Sequence, residues 1–347
     1  METSANLPDK KHRIEYVDLL KGFTILWVVW FHMQSPEFVK IPIRMPLFFF
    51  ISGIFFKPYP LKEFVRKKFN TLIVPFFFFY FLYIAYRFLV WGFFKVFSST
   101  PSADFSFGEV LPFVELFRTG SMPCNPPLWF IVALLIFQCV LYCITMFFKH
   151  RKFQIISCVV VAVIFIISFH DGPGTLYPGL INFCFYAGGF LLGKSLLTMI
   201  EGGRKMHIYI WLAIIPIIYY ILRLIDNPIL LIIIKDVGFF FGIACFVLVF
   251  KFISEYNLAS WLKFWGKNSY IVLGLHVVCL DFCGTVYDVV TRKGPMGNVE
   301  SFCMLFVIFA ILWCIIRLLN RYVPFLVGKK DIWKKPAEQD MVASAVE

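Results

Sequence analysis

Apolar runs of membrane-crossing length follow one another along nearly the whole chain, and this constrains the fold more than any other feature. A helix needs roughly 20 apolar residues to cross the hydrocarbon core of a bilayer. Scanning on that basis gives ten segments, at about 16–35, 43–57, 70–94, 128–148, 154–170, 179–199, 207–225, 229–250, 268–288 and 301–320. The second and fifth are short. The stretch "LRLIDNPILLIII" must turn at Asp226-Asn227-Pro228, because the combined run is too long for one crossing. Composition agrees. The chain is 60% hydrophobic and only 16% charged, against about a quarter charged in soluble domains. The expected fold is all-α: a polytopic membrane protein of about ten transmembrane helices.

Charge sets the orientation. The formal net charge is +12, but the basic residues fall between apolar runs and not in one patch, which argues against nucleic acid as a partner. With the N-terminus in the cytoplasm, the inside segments hold Lys10, Lys11 and Arg13, then Lys57, Lys62, Arg66, Lys67 and Lys68, then Lys149, Arg151 and Lys152. Later inside segments are equally rich, and the outside ones are poor, with Lys40, Arg44, Lys95, Arg118, Arg292 and Lys293. The positive-inside rule therefore places both termini in the cytoplasm. The expected organisation is a cytoplasmic N-terminal segment (1–15), a membrane domain (16–324) and a frayed cytoplasmic tail (325–347). Ten crossings and an internal N-terminus exclude a seven-helix receptor. The longest external connection, 95–127, feeds directly into "PPLWFIVALL" and is long enough to carry function.

Cysteine usage points away from metal and redox chemistry. Cys124 alone lies in a connecting segment, no CxxC occurs, and Cys139/Cys143 and Cys279/Cys283 are pairs at helical spacing suited to packing. No metal is expected. The first apolar run follows basic residues but precedes no small-residue cleavage site, so it reads as a retained helix.

That first run, "DLLKGFTILWVVWFHMQ" (Asp18 to Gln34), carries three groups that lipid penalises. Lys21 and His32 are eleven residues apart, so they share a helix face and lie about 16 Å apart along the axis. Asp18, three residues before Lys21, is close enough to pair with it. Plainer roles exist: Lys21 snorkelling to the interface, Asp18 neutralising it or capping the helix, His32 packed or interfacial. An ionisable residue within a span is nonetheless a functional candidate by default, and histidine can take a proton from a hydroxyl near neutrality.

The same run, with its basic residue, ten residues, then histidine, resembles the first-helix signature of the acyltransferase-3 family of integral-membrane acyltransferases. "MPLFFFISGIFF" (Met45 to Phe56), "RKKFNTLIVPFF" and "LWFIVALL" are similar to that family's second-, third- and fourth-helix motifs, and "YIVLGLHVV" (Tyr270 to Val278) to a looser later segment. The match is dense over residues 13–135 and thin beyond. Lys21 stands where the family usually has arginine, and Arg66-Lys67-Lys68 where it often has two arginines flanking one residue.

The resemblance implies transfer of an acyl group, commonly acetyl, from cytoplasmic acyl-CoA (acetyl-CoA) to a carbohydrate hydroxyl of a cell-surface glycan or glycolipid, in a bacterial inner membrane. On that basis His32 is the expected general base or transient acyl carrier, with Asp18 beside it in the catalytic assignment. Lys21, Arg66, Lys67 and Lys68 are expected at the donor phosphates, and Arg44, Trp129 and Phe130 at the acceptor. Ser52, Asn268 and His276 are second-rank candidates, Ser52 and Asn268 as oxyanion donors. Ser52-Gly53 should let a neighbouring backbone approach closely, and Pro46 should begin or kink the second helix. A transporter or flippase of a glycan or lipid-linked intermediate, without acyl chemistry, is the competing expectation.

Overall fold

The computed structural model describes residues 14–33, 35–97, 114–122, 124–201, 228–291 and 296–334. Every element among them is helical: α1 (Glu15–Phe31), a 3-10 turn (Glu37–Lys40), α2 (Arg44–Ile54), α3 (Leu61–Lys68), a π-helical turn (Phe69–Ile73), α4 (Val74–Phe97), α5 (Val114–Thr119), a 3-10 turn (Pro126–Leu128), α6 (Trp129–Phe147), α7 (Arg151–Phe169), α8 (Leu176–Leu180), α9 (Phe183–Glu201), α10 (Pro228–Glu255), α11 (Leu262–Lys267), α12 (Ser269–Thr291) and α13 (Asn298–Tyr322). The expected span 207–225, the turn residues Asp226-Asn227, most of the 95–127 connection and both chain ends lie outside the described residues.

Among the described residues, seven stretches are long and apolar enough to cross a membrane: Leu61–Val96, Pro126–Phe147, Arg151–Phe169, Leu176–Met199, Ile234–Glu255, Ser269–Thr291 and Asn298–Tyr322. The protein is polytopic. Its outward side chains suit lipid; α7 buries only Cys158 and turns Ile156, Val160 and Ile167 outward. The first two expected crossings are shorter, with 17 residues in α1 and 11 in α2. At 1.5 Å per residue they reach about 25 and 16 Å, less than the ~30 Å hydrocarbon core. Pro46 sits in the first turn of α2, where its missing N–H costs nothing, so it begins the helix.

Lipid supplies no hydrophobic drive between helices, so close backbone approach must hold them together. Two crossings do this. A Cβ on Gly22 of α1 would stand 2.1 Å from the Leu262 carbonyl oxygen, and one on Gly266 of α11 1.9 Å from that of Asp18. Likewise α2 meets α9 where a Cβ on Gly53 or Gly189 would stand 2.0 Å from the oxygen of Tyr186 or Phe50. The expected close approach at Ser52-Gly53 is therefore present. Between α2, α6 and α9 lies an aromatic core, with the Phe49 ring 4.5 Å from Phe130 and 4.8 Å from Phe137.

One end of the bundle is basic. Lys263 pairs with Glu15 at 2.6 Å, Lys329 donates to the Lys267 carbonyl, and Arg66 pairs with Asp331. The segment after Pro324, expected to fray, instead crosses this end through Lys334. Asn70 holds it: its Oδ1 accepts from the backbone N–H of Ile332 and Trp333, and its Nδ2 donates to the Trp333 carbonyl. Asn70 lies in the π-helical turn just before Pro75. Proline lacks the N–H of the regular ladder and its ring crowds the carbonyl four residues earlier, which accounts for the widened turn.

Candidate active site

His32 follows the last residue of α1, with its backbone N–H still bonded to the Val28 and Val29 carbonyls. Its ring meets that of His276, centroid to centroid 5.1 Å. His276 lies about two turns into α12 and is fully buried. Its Nδ1 is 3.0 Å from the carbonyl oxygens of both Val272 and Leu273. Carbonyls only accept, so Nδ1 must carry the proton, and the neutral ring then presents a bare lone pair at Nε2. That Nε2 is buried and has no hydrogen-bond partner among the described residues. Burying an unsatisfied acceptor is costly, which makes this atom beside His32 a functional candidate. His32 itself is exposed at the tip of the short α1–α2 hairpin.

Between the histidines and the basic end lies a cavity of about 110 Å³. Lys21, Ser52, Ser269 and Tyr270 supply its polar lining, and Ile25, Phe48, Phe130 and Leu273 are among its apolar walls. The Tyr270 hydroxyl donates to the Leu72 carbonyl at 3.0 Å, fixing that ring. The cavity therefore begins at the lysine of the first-helix pattern and ends one turn short of His276. Lys21 also lies over the Phe55 ring, at 5.1 Å.

The other expected residues divide. Ser52, a second-rank oxyanion candidate, lines the cavity. Phe130 lines it too, stacked on Phe49. Trp129 is half-buried, and its ring packs against the Cα of Gly179, where a Cβ would come within 2.2 Å. Arg44 is buried, donates to the Val39 and Ile41 carbonyls and covers the Phe31 ring at 4.0 Å. It secures the α1–α2 connection. Asp18 is buried where α1 crosses α11; fourteen residues from His32 on one helix, it stands about 21 Å away, so the two are not brought together. Asn268 is engaged by Asn320, Lys329 and the Phe264 carbonyl, away from the cavity lining.

The basic trio is also spoken for within the chain. Lys67 pairs with Glu63 at 3.0 Å and lies over Tyr59, Lys68 lies 5.2 Å over Phe64, and Arg66 is buried against Asp331. Ser269 and Tyr270 were not singled out from sequence. A signal existed for Ser269: it precedes His276 by seven residues, two helical turns, and so shares its face. For Asn70 the only signal was an amide inside an apolar run.

Neither curated proteins nor solved structures give a significant match to the chain. A family model described as an acyltransferase domain does match, over residues 14–318. That range contains both histidines, the cavity lining and all seven membrane-length helices up to the last turn of α13. The chain belongs to the acyltransferase-3 family and is a membrane acyltransferase.

Proposed function

We propose that the protein transfers an acyl group, acetyl in the first instance, from cytoplasmic acyl-CoA to a hydroxyl of a cell-surface or lipid-linked carbohydrate, with His32 as general base. One observation carries the proposal: the bare Nε2 of buried His276 lies beside His32, just past a cavity that starts at Lys21. The basic end faces the cytoplasm on charge grounds, and the setting is a bacterial inner membrane. The donor nucleotide stays at that end. Its thin pantetheine arm runs along Lys21 and Ser52, and the thioester reaches the histidines.

In the reacting complex one nitrogen of His32 donates to the His276 Nε2, a bond not made in the structure described above, and the other nitrogen's lone pair is then directed toward the acceptor hydroxyl. This is the orienting role a buried acceptor plays behind a catalytic imidazole. His32 removes the hydroxyl proton as the oxygen attacks the thioester carbonyl. The C–O bond forms, the C–S bond breaks, and the imidazolium returns the proton to the thiolate. Products are an ester and free CoA. No metal takes part in these steps.

The test is acyl transfer by purified protein in detergent, with labelled acetyl-CoA and candidate glycans, followed by mass spectrometry for a new ester. Wild type should release CoA in proportion to ester formed, and His32→Ala should abolish both while remaining folded. Glycan movement without thioester consumption would favour a transporter and defeat the proposal.

A further inference from the structure

Arg66 was expected to grip a donor phosphate, yet a carboxylate of the chain already occupies it. Arg66 Nη1 donates to Asp331 Oδ2 at 2.7 Å and reaches the Trp333 carbonyl at 3.4 Å. The arginine is buried, whereas the Asp331 side chain is 44% exposed. Asp331 is the one acidic residue in the segment 323–334, which otherwise carries Lys329, Lys330 and Lys334. A lone acid on a basic strap thus meets the arginine of the basic trio.

We propose that the Arg66–Asp331 pair is an anion-exchange gate over the donor site, opened when a phosphate of the donor nucleotide takes the place of the Asp331 carboxylate. The proposal rests on the acyl-CoA reading above and adds regulation to it. Guanidinium offers the same planar fork to carboxylate and phosphate, so one anion can replace the other. The strap need not leave for this to happen. Asn70 holds the backbone of Ile332 and Trp333 through three hydrogen bonds. Lys329 donates to the Lys267 carbonyl and to Asn268 Oδ1. The Trp333 ring meets Phe69 edge-on at 5.9 Å. None of these contacts uses the Asp331 carboxylate, so that side chain can swing toward solvent while the strap stays docked. The exposed Lys330 and Lys334 then remain beside the incoming phosphates.

The gate makes Asp331 a built-in competitor of the donor. The experiment measures CoA binding to the purified full-length chain by isothermal titration, alongside the KM for acetyl-CoA. Asp331→Asn removes the charge and keeps the shape, so the Kd for CoA and the donor KM should both fall, roughly two- to five-fold for an ion pair of this exposure. Asp331→Glu should retain the wild-type Kd. Arg66→Gln should weaken CoA binding, and adding Asp331→Asn to it should bring no further change. Limited proteolysis should find the strap equally protected in wild type and Asp331→Asn. An Asp331→Asn protein that binds CoA no better than wild type, or worse, overturns the gate and makes Asp331 a tether only. Wild type that binds no CoA at all overturns the donor reading itself, and the gate with it.

Discussion

His276 shows how one atom can be assigned work by the company it keeps. Both carbonyls at its Nδ1 demand a donor, so the proton is fixed there and Nε2 can only accept. On the proposed mechanism an acceptor in that place orients His32, which is a positioning role. His276→Leu should therefore lower kcat by about 10²–10⁴-fold and leave the acetyl-CoA KM unchanged. His276→Gln, whose amide oxygen can accept, should recover part of the loss. Steady-state kinetics of the three proteins decide it; an equal rise in KM would point to a collapsed cavity instead. The Lys21–His32 relation was legible in sequence because both sit on one helix, where spacing alone fixes side and distance. His276 could be named only as second-rank, since nothing local says that α12 brings it against the end of α1. The contacts of Trp129 and Arg44 were not legible for a related reason. An aromatic or a cation at a helix end has the same pattern whether it faces solvent, lipid or a neighbouring backbone.

Among the elements, α1 bears the tightest demand: it must hold Lys21 at the cavity while crossing α11 almost backbone to backbone. A methyl group at Gly22 would meet the Leu262 carbonyl at 2.1 Å, and backbone cannot rotate aside as a side chain can. Gly22→Ala should thus force the crossing apart, at about 1–3 kcal/mol for overpacking. A fluorescence-detected thermal melt in detergent should show the loss. Gly92→Ala is the control, since a Cβ there meets nothing within 4 Å. The existence of the helices was legible from hydrocarbon-length runs, because lipid leaves the backbone no alternative. Half-length α2 was readable only as a short run. The strap over α3 was not readable: the polar composition of 325–334 describes a frayed tail as well as one held by Asn70 and Lys329.

For the whole molecule, the cavity at Lys21 lies between the end that carries the basic trio and His32, which is exposed at the far tip of α1. In sealed vesicles of known orientation, acetyl-CoA supplied on the cytoplasmic side should support transfer to an acceptor on the other side. The same donor supplied only opposite should not. Equal rates from both sides would contradict the directional passage. Family membership over residues 14–318 covers this entire path, while the strap's Asp331 and Asn70-held backbone lie beyond its end.

The shortness of the α1–α2 hairpin has an electrical consequence. If water follows the acceptor down to His32, the voltage of an energised membrane no longer falls evenly across ~30 Å of oil. It is compressed into the stretch of protein between Lys21 and the histidines, and a full unit charge carried through it would exchange about 2.3 kcal/mol per 100 mV with that field. On the proposed route a neutral acetyl group would make the same short journey without exchanging energy with the field.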